Sequence, residues 1–113
     1  MKTEVHNLVW GADAANTKLN GVPVGAAYAA GLVTLSMPVN LRSVALQAVS
    51  GDVSIVNSTY DVTGATATLL AKWTLANGDK EAIDGADLAG QKLYVYAASG
   101  TTLQLRYIVF GDL

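Results

Sequence analysis

Hydrophobic and polar positions alternate with a period of two along most of this chain, and the alternation is clearest near its C-terminal end. From Lys92 to Phe110, Leu93, Val95 and Ala97 fall on one side of a first run, with Tyr94 and Tyr96 on the other. In a second run, Leu103, Leu105, Tyr107 and Val109 oppose Gln104, Arg106, Ile108 and Phe110. Ala98-Ser99-Gly100-Thr101 joins them. Two alternating runs around a short Gly-containing turn predict a β-hairpin.

Upstream, the same period recurs in shorter pieces. Glu4 to Trp10 is a first strand, with Val5, Asn7 and Val9 opposing His6, Leu8 and Trp10. A small-residue loop over residues 11–21 follows, closed by Asn20-Gly21, and the Ala-Gly run from Gly25 to Gly31 reads as a surface connection. Leu32 to Met37 is a strand ended by Pro38. Ser43 to Val49 is another, with Val44, Leu46 and Ala48 opposing Ala45, Gln47 and Val49. After the turn Ser50-Gly51-Asp52, Val53 to Val56 forms a short strand, and Tyr60 to Gly64 is a brief edge strand or a loop. Thr66 to Leu75 is a strong strand, and Asn77-Gly78 after it predicts a hairpin returning through Lys80 to Ile83. Asp84 to Gly90 is a turn-dense connection.

Seven or eight short strands, turn residues every eight to twelve positions and no convincing helix predict an all-β fold. The expected architecture is an antiparallel β-sandwich, jelly-roll-like, spanning residues 1–113 as a single domain. The chain has 113 residues, the length of one domain, and shows neither repeat nor linker.

Composition changes this picture in one respect. Charged residues make up 14% of the chain, against about 25% in ordinary soluble domains. A small domain has much surface to solvate, so part of this one is expected to lie against a partner: copies of itself, or a larger assembly. Seven Lys and Arg against nine Asp and Glu give a net charge of −2, which offers no basic footprint for nucleic acid. There is no cysteine, hence no disulfide or thiolate chemistry. Met1-Lys2-Thr3-Glu4 leads into His6 and Asn7 rather than an apolar run, so no signal peptide is expected. Gly21 to Val39, broken by Pro23 and Pro38, does not read as a membrane span.

Candidate chemistry is sparse. The single histidine, His6, has no nucleophile or acid at a motif spacing and reads as a strand residue at a surface or subunit contact. Asp79, Glu81, Asp84 and Asp87 cluster, but their offsets do not fit a calcium loop, and two tight turns would demand the same residues. Asn57-Ser58-Thr59 fits the glycosylation sequon, which means little without a signal peptide. No phosphate loop, zinc-ligand set or paired-carboxylate cleft is present, so no enzyme, metal or cofactor is expected. The aromatic residues remain. Tyr94 and Tyr96 on one strand face, with Trp73 and Arg106, form the candidate interaction face, either packed beneath a neighbouring subunit or stacking on sugar rings.

The segments ANGDKEAIDGADLAGQKLYVYA and ASGTTLQLRYIVFGDL, in a Cys-free chain rich in Ala, Gly, Thr and Val, resemble small virion proteins of tailed bacteriophages, capsid decoration (cement) proteins among them. The resemblance covers the C-terminal third and carries no functional residues across. It implies a non-enzymatic β-sandwich located in the virion, often trimeric, that binds the major capsid protein on the outside of an assembled shell. The alternative expectation is a carbohydrate-binding, lectin-like module whose partner is a glycan.

Overall fold

The strand face that carries Leu8 and Trp10 settles how the chain is organised. A computed structural model describes residues 1–24, 31–56 and 73–111. In it β1 (Lys2–Val9) pairs antiparallel with β10 (Thr102–Val109) over its whole length, from Lys2 opposite Val109 to Val9 opposite Thr102. Leu8, Leu103, Leu105, Tyr107 and Val109 are buried, while Val5, Val9 and Arg106 on the reverse side are exposed. The alternation read from the sequence therefore holds in both strands.

β5 (Leu41–Ser50) flanks β10 on its other side, and β8 (Lys80–Asp84) flanks β5. The short strands β2 (Lys18–Leu19) and β3 (Val22–Pro23) extend the opposite edge, completing a six-stranded sheet of order β3-β2-β1-β10-β5-β8. A second, four-stranded sheet has the order β4-β9-β6-β7, from β4 (Val33–Ser36), β9 (Lys92–Tyr96), β6 (Val53–Val56) and β7 (Trp73–Leu75). Every pairing is antiparallel. The fold is all-β, with ten strands among the described residues rather than seven or eight. Inward-facing residues of both sheets, among them Leu46 and Leu105 from the large one and Ile55 and Leu93 from the small one, meet in one apolar cluster. Each such side chain, fully removed from water, contributes roughly 1.5–3 kcal/mol.

Both expected hairpins are corrected. β9 and β10 do not pair: β9 lies between β4 and β6, and β10 between β1 and β5. The turn joining them carries the chain from the small sheet to the large one. β8 likewise pairs with β5 and not with β7. The backbone rules out the tightest form of hairpin at both places. A two-residue hairpin of type I′ needs positive φ at both central residues. In the turns at Asn77-Gly78 and Ser99-Gly100 only the glycine has it, with φ 91° and 89°. Asp79 N–H donates to Ala76 O at 2.8 Å and Thr101 N–H to Ala98 O at 3.2 Å, closing turns with the type II pattern of φ signs.

The other Asn-Gly pair does meet the requirement, since Asn20 has φ 52° and Gly21 φ 82°. It makes the tight hairpin β2–β3, which straddles the end of the segment read as loop. Two further differences are small: a 3-10 turn at Ala14–Asn16, and a four-residue helix α1 (Gly85–Leu88) within the turn-dense connection. The sequon at Asn57, the strand or loop at Tyr60–Gly64, most of the strand expected over residues 66–75 and the run 25–30 lie outside the described residues.

Candidate functional site

The four residues expected to form an interaction face are not brought together. Tyr94 and Tyr96 follow each other on one side of β9, in register with Val56 and Ser54 of β6. Trp73 pairs with Ile55 at the start of β7; its side chain lies outside the described part. Arg106 belongs to the other sheet, between Val5 of β1 and Ala45 of β5. The tyrosines also differ in exposure, Tyr94 being buried at 6% and Tyr96 half-buried. Tyr107 turns into the core and Phe110 is half exposed, so the aromatics of the two C-terminal strands form no common row.

Two of the four acidic residues in the Asp79–Asp87 stretch, Asp79 and Asp84, bond the backbone. A side-chain oxygen of Asp79 accepts from Ala76 N–H at 3.2 Å, and Asp84 Oδ1 accepts from Ala86 N–H at 2.8 Å, capping α1. Asp52 Oδ1 accepts from Asn77 N–H at 2.9 Å, while Asn77 Oδ1 accepts from Gly51 N–H at 3.2 Å. These bonds stitch two sheet-crossing turns to each other. Among the described residues, no three His, Asp or Glu side chains converge as metal ligands.

A polar contact that the sequence reading missed lies beside β10. Glu4 is directly opposite Tyr107, and the His6 ring tilts against the Tyr107 ring with centroids 4.6 Å apart. Asn20 Oδ1 accepts from Asn7 N–H at 2.9 Å, which leaves its Nδ2 to donate to His6 Nδ1 at 2.7 Å. Nδ1 is therefore an acceptor, and the proton of neutral His6 belongs on Nε2, 3.7 Å from Glu4 Oε1. Neither ring nitrogen bonds a hydroxyl, so the contact holds no primed nucleophile. Burial first, and the Glu4 carboxylate second, push the Tyr107 hydroxyl up to about 12. The i, i+2 spacing of Glu4 and His6 on a strand was the available signal.

What remains is a surface. The side of the large sheet turned away from the core carries Thr3, Val5, Asn7 and Val9 from β1, and Thr102, Gln104, Arg106 and Ile108 from β10. Lys18 from β2, Ser43, Ala45 and Gln47 from β5, and Lys80, Ala82 and Asp84 from β8 also belong to it. None of these residues is buried. Most are short, and Asp84 is the one acid among them. A broad strand face with small side chains and few charges can lie against another surface.

Compared with known proteins, the chain matches no family model, no curated protein and no solved structure.

Proposed function

We propose that this chain is a non-enzymatic structural protein of a tailed-phage virion, a decoration-type protein that adheres to the outside of the capsid through the outer face of its six-stranded sheet. In this reading the two sheets form a jelly-roll-like β-sandwich, and copies of the chain associate, as a trimer, around the shared contact with the major capsid protein. The uncovered outer face carries the proposal. Val5, Val9, Ala45 and Ala82 give it apolar area, and its only acid is Asp84. With strands about 4.8 Å apart and rising about 3.3 Å per residue, the four longest strands present on the order of 500 Å². A stable pairwise contact takes about 800 Å² per partner. One such face alone is therefore a weak binder, and a repeating shell that engages many copies at once supplies the rest by avidity. The lectin-like reading is less favoured, because Tyr94, half of its sugar platform, is 6% exposed.

Light scattering at micromolar concentration followed by co-sedimentation with phage capsids tests the proposal. The expected result is a trimer that sediments with the shells, and loss of sedimentation in Val5→Glu/Ala45→Glu with an unchanged circular dichroism spectrum. A monomer that stays in the supernatant overturns it.

A further inference from the structure

A shallow dimple interrupts the outer face of the large sheet, about 80 Å³ in volume and lined by Ala45, Leu46, Gln47, Lys80, Gln104 and Arg106. The pairing explains it. Gln104, Gln47 and Lys80 follow one another across β10, β5 and β8, and Arg106 and Ala45 form the neighbouring row. The short side chain of Ala45 leaves a floor between taller neighbours. Arg106 and Lys80 stand at opposite corners, with backbones about 12 Å apart by strand geometry, close enough for their long side chains to reach one group between them. Neither cation has an ion-pair partner among the described residues. Gln47 and Gln104 add amide donors.

We infer that this dimple takes a carboxylate side chain, Asp or Glu, presented by the protein surface on which the sheet face docks; the inference rests on the docking reading above. Charge distribution carries it. The chain as a whole is at −2, yet this face bears Lys18, Lys80 and Arg106 against Asp84 alone. The guanidinium fork of Arg106 matches a carboxylate with two parallel N–H donors, and Lys80 adds a movable point charge. Size narrows the ligand further. Sites for drug-sized molecules run to roughly 300 Å³ and above. The dimple is far smaller than that and suits a small group such as a carboxylate.

Side-chain NMR of the full chain, titrated with N-acetylglutamate, tests this, with N-acetylglutamine as the uncharged control and inorganic phosphate as the rival anion. The Gln47 and Gln104 amides and the Arg106 Nε–H are expected to shift together and saturate, with the Asn40 amide unmoved. Affinity should drop about fivefold in Arg106→Gln or Lys80→Gln, the scale of an exposed charge pair, and partly return in Arg106→Lys. Equal shifts with N-acetylglutamine, tighter saturation by phosphate, or wild-type affinity in both variants overturns the inference. Capsid co-sedimentation of the same variants separates the two readings. If both variants sediment like the wild type, the carboxylate contact is refuted and the docking reading stands. If the wild type never sediments while the titration saturates, the docking reading is refuted and the carboxylate site stands.

Discussion

Trp10 Nε1 donates to the carbonyl oxygen of Gly31 at 2.7 Å, tying the residue after β1 of the large sheet to one two positions ahead of β4 in the small sheet. The same tryptophan is held through its backbone: its N–H donates to Thr101 O at 3.0 Å, and its own carbonyl accepts from Gly100 N–H at 2.8 Å. One buried residue thus joins both sheets and the turn that crosses between them. Trp10→Phe keeps most of the apolar contact but leaves the Gly31 carbonyl without its donor. The expected loss is about 1–3 kcal/mol, read from the urea midpoint. Gly31→Ala should also destabilise, because Gly31 has φ +76° and a Cβ there would come within 2.9 Å of Ala97 O.

The two Asn-Gly pairs give a sharper test, since the sequence makes them look alike. Asn20 holds φ 52° and bonds both Asn7 N–H and His6 Nδ1. Asn77 has ordinary negative φ, and its side chain makes one exposed bond to Gly51 N–H. Asn20→Ala should therefore cost about 1–2 kcal/mol, from the left-handed backbone and the lost bonds together. Asn77→Ala should cost at most about 1 kcal/mol. Equal melting temperatures for the two variants would contradict the backbone assignment.

That contrast also shows what could be read from the chain and what could not. Which face of each strand is buried follows from local alternation, and Leu8, Val44, Leu46, Leu103 and Leu105 are buried where the pattern put them. Whether a turn can close a tight two-residue hairpin depends on the φ signs of its two central residues, and Asn-Gly allows either: both are positive at Asn20-Gly21, only the glycine at Asn77-Gly78. Strand order is a long-range property, as when Thr3 meets Ile108 or Ser43 meets Asp84. The dimple around Ala45 becomes visible only once β10, β5 and β8 are neighbours. Tyr94 and Tyr96 were placed correctly on the side opposite Leu93 and Val95, but their alternation says nothing of the burial that separates them.

Stability should fall at high pH through Tyr107. Its hydroxyl titrates near 10 in an unfolded chain and at about 12 in the fold. Between those values the unfolded state has released the proton that the folded state still holds, so raising the pH favours unfolding. The contribution is fully present below pH 10 and is lost as pH rises to 12. Urea midpoints of the wild type should drop between pH 10 and 12, and Tyr107→Phe should shrink that drop. An unchanged slope in the variant would show that Tyr107 is not the group responsible.

The core and the outer face should respond oppositely to truncation. Leu105 is completely buried between Leu46 and His6 in the pairing of the large sheet, and it belongs to the cluster shared by both sheets. Leu105→Ala is expected to cost about 2–5 kcal/mol, the range set by lost transfer energy plus the cavity left behind. Val5 belongs to the uncovered face and is 46% exposed. Val5→Ala should change stability by no more than about 0.5 kcal/mol. Chemical denaturation of the two variants checks this, and a large loss in Val5→Ala would mean that the face is already covered in the isolated protein.

Separate sheets for β9 and β10 make the most direct test of the fold, because a hairpin would bring the same residues together. In antiparallel pairs, opposed residues lie about 4.5–5.5 Å apart at Cα, within reach of cross-strand nuclear Overhauser effects. Val95 is opposite Val33 on one side and Ile55 on the other, while Leu103 is opposite Leu8 and Ala48. Backbone effects are therefore expected from β9 to β4 and β6, and from β10 to β1 and β5. None is expected along a β9–β10 ladder, although the turn connecting those strands is only a few residues long. A continuous ladder between Lys92–Tyr96 and Thr102–Val109 would restore the local hairpin. β1 and β5 would then lose their shared neighbour, and with it the continuous face formed by Val5, Arg106 and Ala45.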